Sequence, residues 1–354
     1  MPVGKSIRRS VCVLLGCCIV AGPAAAQDTT LATSSQAAQP DVQQASSLSF
    51  VRAFSSSDDV KRPLPPILDR TLDIIAGPKD TGPRVDVLQS PSAVTTDSKG
   101  RVFVADPGAK AVHVFDFNRS KYHLLRGGDR LRSPVSLAVD SQDNLYVIDQ
   151  SSNTVLVYDS AGKFRRYLGK LNGGESYFES PAGIAIDRTT GRVYVCDTHR
   201  HMVIVMDDRG TVIGKFGKRG GGDRPGEFRL PTQAVVSGGE LFVLDSGNTR
   251  VQILDTEGHF RRAINLAYAD RRTGLAVDKQ GNVYVSDPGL NQVQIFSREG
   301  RRLYTFDPST IKDANFGDPS GMWVHAGYCL YVLDSRSHRA GLFQISGEAA
   351  RHCR

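Results

Sequence analysis

The chain has 354 residues, of which 40% are hydrophobic and 23% are charged. These proportions are typical of a packed globular protein and exclude a wholly disordered chain. The formal net charge is +7, and 35 glycines occur beside 15 Phe, 11 Tyr and a single Trp. Such a composition favours a turn-rich β protein over a helical one.

The first 26 residues predict an export signal. Three basic residues, Lys5, Arg8 and Arg9, precede an apolar stretch over 11–22, and Ala24-Ala25-Ala26 then offers a small-residue cleavage site. The apolar stretch is too short to span a bilayer. We therefore expect a periplasmic or secreted protein, cleaved near Ala26. Loss of the three basic residues would lower the net charge from +7 to +4.

A second interpretation of the same segment stays open. Leu14-Leu15-Gly16-Cys17 resembles a bacterial lipobox. Processing at this site would leave a lipidated Cys17 and a membrane-anchored lipoprotein. Contact with a membrane is expected only in that case.

Three cysteines lie beyond the predicted signal: Cys196, Cys329 and Cys353. An oxidising compartment allows one disulfide and one remaining thiol among them. We expect Cys329 to pair with Cys353, because Cys353 lies on a C-terminal tail that needs an anchor. Cys196 follows an apolar run and is expected to be a small buried side chain.

A short apolar segment that ends in Asp occurs six times along the chain. The six copies end at Asp106, Asp149, Asp197, Asp245, Asp287 and Asp334. Successive copies are 42 to 48 residues apart. A repeat of this length indicates a propeller or a solenoid.

Each repeat contains more than this one strand. A polar turn and a second apolar strand follow the Asp, and a more charged strand such as 163–168 follows a glycine turn. Strands that are apolar throughout are expected where both faces of a sheet are covered, and a charged strand is expected at an outer edge. We therefore predict an all-β protein, a six-bladed β-propeller of four-stranded antiparallel blades that spans residues 67–354.

The sixth repeat lacks room for its outer strand. An open ring would leave an unpaired edge, so an N-terminal strand is predicted to complete the last blade. Thr71–Ala76 is the candidate for that strand. Residues 27–66 are rich in Ser, Ala, Gln and Thr and are predicted to form a flexible tether.

Several landmarks of these repeats resemble the NHL-repeat family. The resemblance is carried by Phe216–Gly220 with Gly226-Glu227-Phe228, by Pro181–Asp187, and by Asp245–Val251. It covers roughly residues 88–346 and lacks the Gly-His and Trp-Asp marks of WD-type repeats. NHL propellers include RNA-binding modules, protein-interaction modules, extracellular sensor domains and a peptide-amide lyase, so the resemblance implies a fold and not one function.

The six strand-end Asp residues are interpreted as structural. An Asp at the end of a strand can accept backbone N–H bonds in the following turn. Six equivalent carboxylates around a ring cannot all serve one reaction. Candidate functional residues are therefore sought among positions that differ between repeats.

The loops expected at the ligand-binding face of a propeller are rich in basic residues. They join the second strand to the third and each blade to the next. The candidate ligand-binding residues there are Lys110, Arg200, His201, Arg229, Arg250, Arg272, Arg336 and Arg339. A positively biased face attracts anions, and Arg suits carboxylate or phosphate recognition.

These residues favour an exported, non-enzymatic binding or scaffold protein. Its expected partner is a protein or an anionic polysaccharide of the cell envelope. Nucleic acid is not expected, because the protein is predicted to be exported and a mature charge of +4 is small. No cofactor and no catalytic residue are predicted.

The alternative is a metal-dependent hydrolase or lyase that acts at the central pore. His199-Arg200-His201 is the most metal-like cluster, but no third His or Cys is near it in sequence. The amide lyase of the resembling family needs zinc-binding His at the start of its blades. The corresponding motifs here, such as Pro91-Ser92 and Pro231-Thr232, carry none. No metal site is therefore predicted.

One position departs from the repeat with a histidine. Most repeats carry Asp at the end of the first strand, whereas the sixth carries His325, with Trp323 nearby. We interpret this as a local change of turn. A pore-lining role for His325 is the alternative.

Overall fold

The computed structural model describes residues 48–61, 86–128, 130–171, 173–311, 316–345 and 353. The predicted signal segment and Thr71–Ala76 lie outside these residues. Within them, no helix has the length and apolar character needed to cross a bilayer. The helices described are single 3₁₀ turns, at Ser57–Val60, Thr198–Arg200, Ser246–Asn248 and Pro308–Thr310.

The described residues form 24 strands. Strand β1 is Leu48–Phe54. Blade one contains β2 (Ala93–Thr96), β3 (Val102–Asp106), β4 (Ala111–Asp116) and β5 (Lys121–Leu125). Blade two contains β6 (Pro134–Val139), β7 (Leu145–Asp149), β8 (Thr154–Tyr158) and β9 (Phe164–Leu168). Blade three contains β10 (Pro181–Ile186), β11 (Val193–Asp197), β12 (Met202–Met206) and β13 (Val212–Gly217).

The second half of the ring repeats this pattern. Blade four contains β14 (Pro231–Ser237), β15 (Glu240–Asp245), β16 (Arg250–Asp255) and β17 (Phe260–Asn265). Blade five contains β18 (Leu275–Val277), β19 (Val283–Asp287), β20 (Gln292–Phe296) and β21 (Arg302–Phe306). Blade six contains β22 (Pro319–His325), β23 (Cys329–Asp334) and β24 (Arg339–Ile345), with β1 as its fourth strand.

The blades close into a ring through their innermost strands. Each inner strand contacts the inner strands of its two neighbours, in the order β2, β6, β10, β14, β18, β22 and back to β2. Every sheet has four antiparallel strands in sequence order, apart from the contribution of β1. The structure is therefore the predicted all-β, six-bladed propeller.

A separate hydrophobic cluster fills each of the six spaces between adjacent blades. In β7, Tyr146 and Ile148 pack toward blade three, whereas Leu145 and Val147 pack toward blade one. Alternate side chains of one strand thus enter two different cores, because successive residues of a strand point to opposite faces. This explains why the inner strands are apolar throughout rather than alternating.

The N-terminal strand that completes blade six is β1, not Thr71–Ala76. It pairs antiparallel with β24, from Leu48 opposite Ile345 to Phe54 opposite Ala340. The prediction of a closing N-terminal strand is confirmed, but its position was wrong. The prediction of a tether is likewise wrong for residues 48–61. Phe50 and Phe54 in this polar segment supply apolar surface, and Phe54 is 2% exposed.

The cysteines are arranged as expected. Cys329 in β23 and Cys353 form a disulfide. Cys196 in β11 is a free thiol that is fully buried between blades three and four. Burial raises the pKa of the Cys196 thiol. A neutral, inaccessible thiol behaves as a small apolar side chain.

Candidate functional site

Two faces of the ring differ in the loops that form them. The upper face carries the turns from the second to the third strand of each blade and the connections between blades. The lower face carries the turns from the first to the second strand and from the third to the fourth. All eight predicted ligand-binding residues lie in upper-face loops or at the ends of strands that border them.

The six strand-end Asp residues act as structural acceptors. Each is 0–1% exposed. Asp106 accepts backbone N–H bonds from Gln89 and Ser90 in the loop that enters blade one, and from Ala109 in its own turn. The other five carboxylates likewise accept backbone N–H bonds, as Asp334 does from Gly317 and Arg336. Each carboxylate thereby fixes at least one upper-face loop, and the structural interpretation is confirmed.

Arg250 is held by its own loop. Its Nε atom lies 2.8 Å from Asp245 Oδ2, and its terminal nitrogens donate to the carbonyl oxygens of Asp223, Arg224 and Glu227. The side chain is 13% exposed. Because all three of its nitrogens donate to protein acceptors, Arg250 shapes the connection between blades three and four.

The Arg200 guanidinium already contacts two carboxylates and an aromatic ring of the protein. Its Nε atom lies 3.5 Å from Asp197 Oδ2 and 3.6 Å from Glu179 Oε2, and its guanidinium stacks over the ring of Tyr177 at 5.1 Å. His201 has a positive φ of 59°, and its Nδ1 accepts a hydrogen bond from the backbone N–H of Leu230. His201 therefore supports the loop that enters blade four.

Within the described residues, His199 and His201 do not share a cluster with further metal-binding side chains. His199 Nε2 lies 3.3 Å from a terminal nitrogen of Arg271. Among the described residues, no group of three or more His, Cys, Asp or Glu side chains is placed to hold a metal ion.

The remaining predicted residues stand around the upper rim. Lys110 and Arg126 border an open groove between blades one and two. Arg229 and Arg336 are exposed, and the structure gives their side chains no ion pair within the described residues. Arg339 begins β24 opposite Asp334 and is half-buried. These residues are spread around the ring rather than gathered into one cluster.

A cavity of about 300 Å³ occupies the upper mouth of the central channel. Small hydroxyl side chains line it from four different blades: Ser90, Ser92, Ser180, Thr198, Thr232, Ser320 and Ser335. Gln150, Gln233, Arg271 and Arg272 supply the other polar groups. No carboxylate is among the residues that line this cavity, so its polar lining is neutral or positive.

Five of these hydroxyl groups make hydrogen bonds within the protein: those of Ser92, Thr198, Thr232, Ser320 and Ser335. Thr198 Oγ1 donates to the carbonyl oxygen of Pro231 at 2.8 Å, and Ser335 Oγ donates to Ser320 Oγ at 2.7 Å. The Thr232 and Ser246 hydroxyls lie 2.5 Å apart. These bonds cross between neighbouring loops and strands. The lining is therefore formed before any ligand binds, which lowers the entropy cost of binding.

Arg272 is the one predicted residue that lines this cavity. Its Nη1 atom lies 2.9 Å from Asp318 Oδ2, and its Nε atom lies 3.4 Å from Asp270 Oδ2. The charge of Asp318, followed by that of Asp270, raises the pKa of Arg272. Two carboxylates behind the guanidinium hold it at the cavity, and about half of the side chain stays exposed.

The hydroxyl lining was not selected from the sequence as a set of binding residues. A signal for the lining does exist in the sequence. Ser92, Thr232 and Ser320 each follow the proline at the start of an inner strand, and Thr198 and Ser335 each follow a strand-end Asp. The residue after the inner-strand proline and the residue after the strand-end Asp therefore both contribute to the walls of the cavity.

The ring of six four-stranded blades and the cavity at its axis define a β-propeller with an open central channel. A family model of the NHL repeat matches residues 178–206, which include β10, β11 and β12. The chain is a six-bladed β-propeller, and the match to the NHL repeat falls on its third blade. The comparison with curated proteins finds no match.

Solved structures with the same fold are distant in sequence. A streptogramin B lyase is 12% identical with a TM-score of 0.53, and the match covers 73% of this chain and 94% of that one. Virginiamycin B lyase from Staphylococcus aureus is 9% identical with a TM-score of 0.55, covering 85% and 100%. A protein of unknown function from Bacteroides thetaiotaomicron is 14% identical with a TM-score of 0.53, covering 76% and 73%. At these identities the likeness concerns the fold alone.

Proposed function

We propose that this chain is an exported, non-enzymatic binding propeller that recognises an anionic glycan at its upper channel mouth. The observation that carries the proposal is the cavity of about 300 Å³ whose polar lining consists of hydroxyls, amides and two guanidiniums. Its volume lies at the lower end of the range for small-molecule sites.

The chemistry of the lining suits a sugar that bears a carboxylate. Hydroxyl and amide groups both donate and accept hydrogen bonds, as the hydroxyls of a glycan do. Arg271 and Arg272 offer the planar, charged donors that bind carboxylates well. The polar groups are already positioned by bonds within the protein, so a ligand would meet a rigid mouth.

The exposed basic residues on the rim of the upper face favour a longer anionic ligand. Lys110, Arg229 and Arg336 are exposed around the mouth. Their field would draw a polyanion toward the axis and would weaken as salt is added. Arg250, Arg200 and His201 then serve mainly to hold the loops that carry these groups.

The test compares an anionic with a neutral oligosaccharide of equal length. Calorimetric titration with trigalacturonate should show saturable binding, whereas maltotriose should bind at least about tenfold more weakly because it lacks the carboxylates. The double variant Arg271→Gln, Arg272→Gln should remove this preference. Arg261→Gln is the matched control, since Arg261 lies on β17 and its partner Asp255 is away from the mouth.

Two results would contradict this proposal. Equal binding of the two sugars would remove the role assigned to the guanidiniums. Unchanged trigalacturonate binding by the double variant would place the glycan elsewhere. The alternative of a metal-dependent hydrolase or lyase has no supporting group of metal ligands within the described ranges.

A further inference from the structure

The lower half of the central channel holds a second cavity, of about 460 Å³. It is formed by the ends of the inner strands of blades one, two, three, four and six. No residue lines both this cavity and the upper one. The upper cavity uses the starts of the inner strands, such as Ala182, and the lower one uses their ends, such as Ile184. The two cavities are thus separate sites.

The walls of the lower cavity combine apolar and polar groups in nearly equal shares. Side chains that line it and are no more than 9% exposed include Leu137, Val139, Ile184, Ile186, Val235 and Val324. Each of these side chains packs in a core between two blades and borders the cavity with its remaining surface. The aliphatic part of the lining offers hydrophobic contact to a short hydrocarbon chain, and the polar part offers donors to a charged group.

A chain of hydrogen bonds runs along one wall. The Trp323 indole N–H donates to Thr96 Oγ1 at 2.8 Å, and Thr96 Oγ1 lies 2.7 Å from His325 Nδ1. We assign the Thr96 hydroxyl as the donor to Nδ1, because this gives its hydrogen an acceptor within the described residues. The proton of the neutral imidazole is then on Nε2. His325 therefore offers an N–H donor, and the pore-lining alternative for this residue is the one the structure shows.

Arg188 lies at the mouth of the lower cavity. From blade three, its Nε donates to the carbonyl oxygen of Val139 in blade two at 3.0 Å, and its Nη2 lies 3.4 Å from the carbonyl oxygen of Thr96 in blade one. Its Nη1 has no partner within the described residues. The guanidinium thus spans three blades and keeps one unused donor group.

The two carboxylates that line the cavity already accept hydrogen bonds from groups of the protein. Asp97 pairs with Arg101 at 2.6 Å and accepts the backbone N–H of Lys99. Asp187 accepts the backbone N–H of Thr189 and the hydroxyl of Thr190. Both carboxylates close the turns at the ends of their own inner strands. Their bonding capacity is directed to these turns, whereas Arg188 and His325 retain N–H groups for a ligand.

We propose that the lower cavity is a binding site for a small aliphatic monocarboxylate. The carboxylate is bound by Arg188 Nη1 and His325 Nε2, and the hydrocarbon chain lies against Val139, Ile184 and Val235. The site is independent of the glycan proposed for the upper mouth. No covalent step is involved.

The single tryptophan of the chain makes this site directly observable. Trp323 lines the cavity, so its emission reports on occupancy. Titration of the purified protein with hexanoate should change Trp323 emission saturably, and calorimetry should give the same affinity. Hexanamide has nearly the same shape without the charge. It should bind at least about tenfold more weakly, because hydrogen bonds to a charged group contribute more than neutral ones.

Three variants locate the ligand. Arg188→Met should weaken hexanoate binding at least about tenfold. Arg209→Met is the matched control, because Arg209 is an exposed lower-face residue that does not line the cavity, and it should leave the affinity unchanged. Val235→Phe should fill part of the cavity and abolish binding while every charge is retained. The Arg271→Gln, Arg272→Gln variant should bind hexanoate normally.

Four outcomes would overturn the proposal: no saturable binding by either method, equal affinity for hexanoate and hexanamide, an equal loss in the Arg188 and Arg209 variants, or full binding by Val235→Phe. A loss confined to the Arg271→Gln, Arg272→Gln variant would also overturn it, because it would place hexanoate in the upper mouth. Failure of the glycan test alone leaves the lower site intact, since the two use different residues.

Discussion

The side-chain amide of Gln252 donates a hydrogen bond of 3.1 Å to the carboxylate of Asp245, and both side chains are fully buried. Gln294 makes the same bond to Asp287 in blade five, also at 3.1 Å. In blade one, His113 Nε2 lies 3.3 Å from Asp106 Oδ2. In three of the six blades, therefore, a polar residue of the third strand supports the carboxylate that fixes the upper loops.

Replacing Asp245 should destabilise the protein strongly. The carboxylate accepts from the backbone N–H of Arg229 and from the side chains of Asn248, Arg250 and Gln252. Asp245→Ala leaves these donors without their acceptor and should lower the free energy of unfolding by about 3–5 kcal/mol. Equilibrium denaturation measures the change. Asp255→Ala, at a more exposed turn, is the control and should lose at most about 1 kcal/mol.

Among the side chains of β1, Phe54 should contribute most to the stability of the closed ring. Its ring lies 4.9 Å from Phe115 and 5.1 Å from Phe117 between centroids, so a residue of blade six packs on blade one. Phe54→Ala should lower the free energy of unfolding by about 3–5 kcal/mol.

The control for this change is Phe260→Ala on β17. Phe260 is 36% exposed and should lose much less. Similar losses at the two positions would mean that β1 adds little to the ring.

Loss of the disulfide should destabilise the C-terminal blade. The Cys329–Cys353 bond closes a loop over a sequence separation of 24 residues. Removing a crosslink over such a loop costs about 3 kcal/mol. Cys353→Ser should therefore unfold at lower denaturant concentration than the parent. Added reductant should shift the parent to the midpoint of the variant and leave the variant where it was.

Stability should depend on pH through His325. Burial lowers the pKa of His325, Arg188 lowers it further, and Asp97 opposes the shift. A histidine whose pKa is lower in the folded state contributes stability above its unfolded pKa, about 6.5, and loses it as pH falls toward the folded value. The parent should thus lose more stability than His325→Gln between pH 7.5 and pH 5. Equal losses of stability in the two proteins would show that other titratable groups cause the destabilisation at low pH.

The ring could be predicted from the sequence because its determinants are local and repeated. Each strand-end Asp follows its own apolar strand, and six copies at nearly constant spacing define the blades. The closing strand could not be found in this way. β1 pairs with a strand nearly 300 residues later, and its Phe50 and Phe54 lie in a segment whose average composition is that of a tether.

The candidate site was only partly predictable for a related reason. Arg250 and Arg272 are both arginines in upper-face loops, yet Arg250 donates to four acceptors of its own region while Arg272 borders the cavity. The sequence position of an arginine predicts the face on which it lies. It does not predict whether the guanidinium binds other groups of the protein or stays available to a ligand. The lower cavity depends on Thr96 and His325, which are 229 residues apart in the chain and 2.7 Å apart in space.

The pairing of β1 with β24 also orders events during biosynthesis. β1 leaves the ribosome long before β24 has been synthesised, so blade six stays incomplete while the other five blades are being made. Throughout that interval the seam exposes a bare strand edge that could recruit a neighbouring nascent chain.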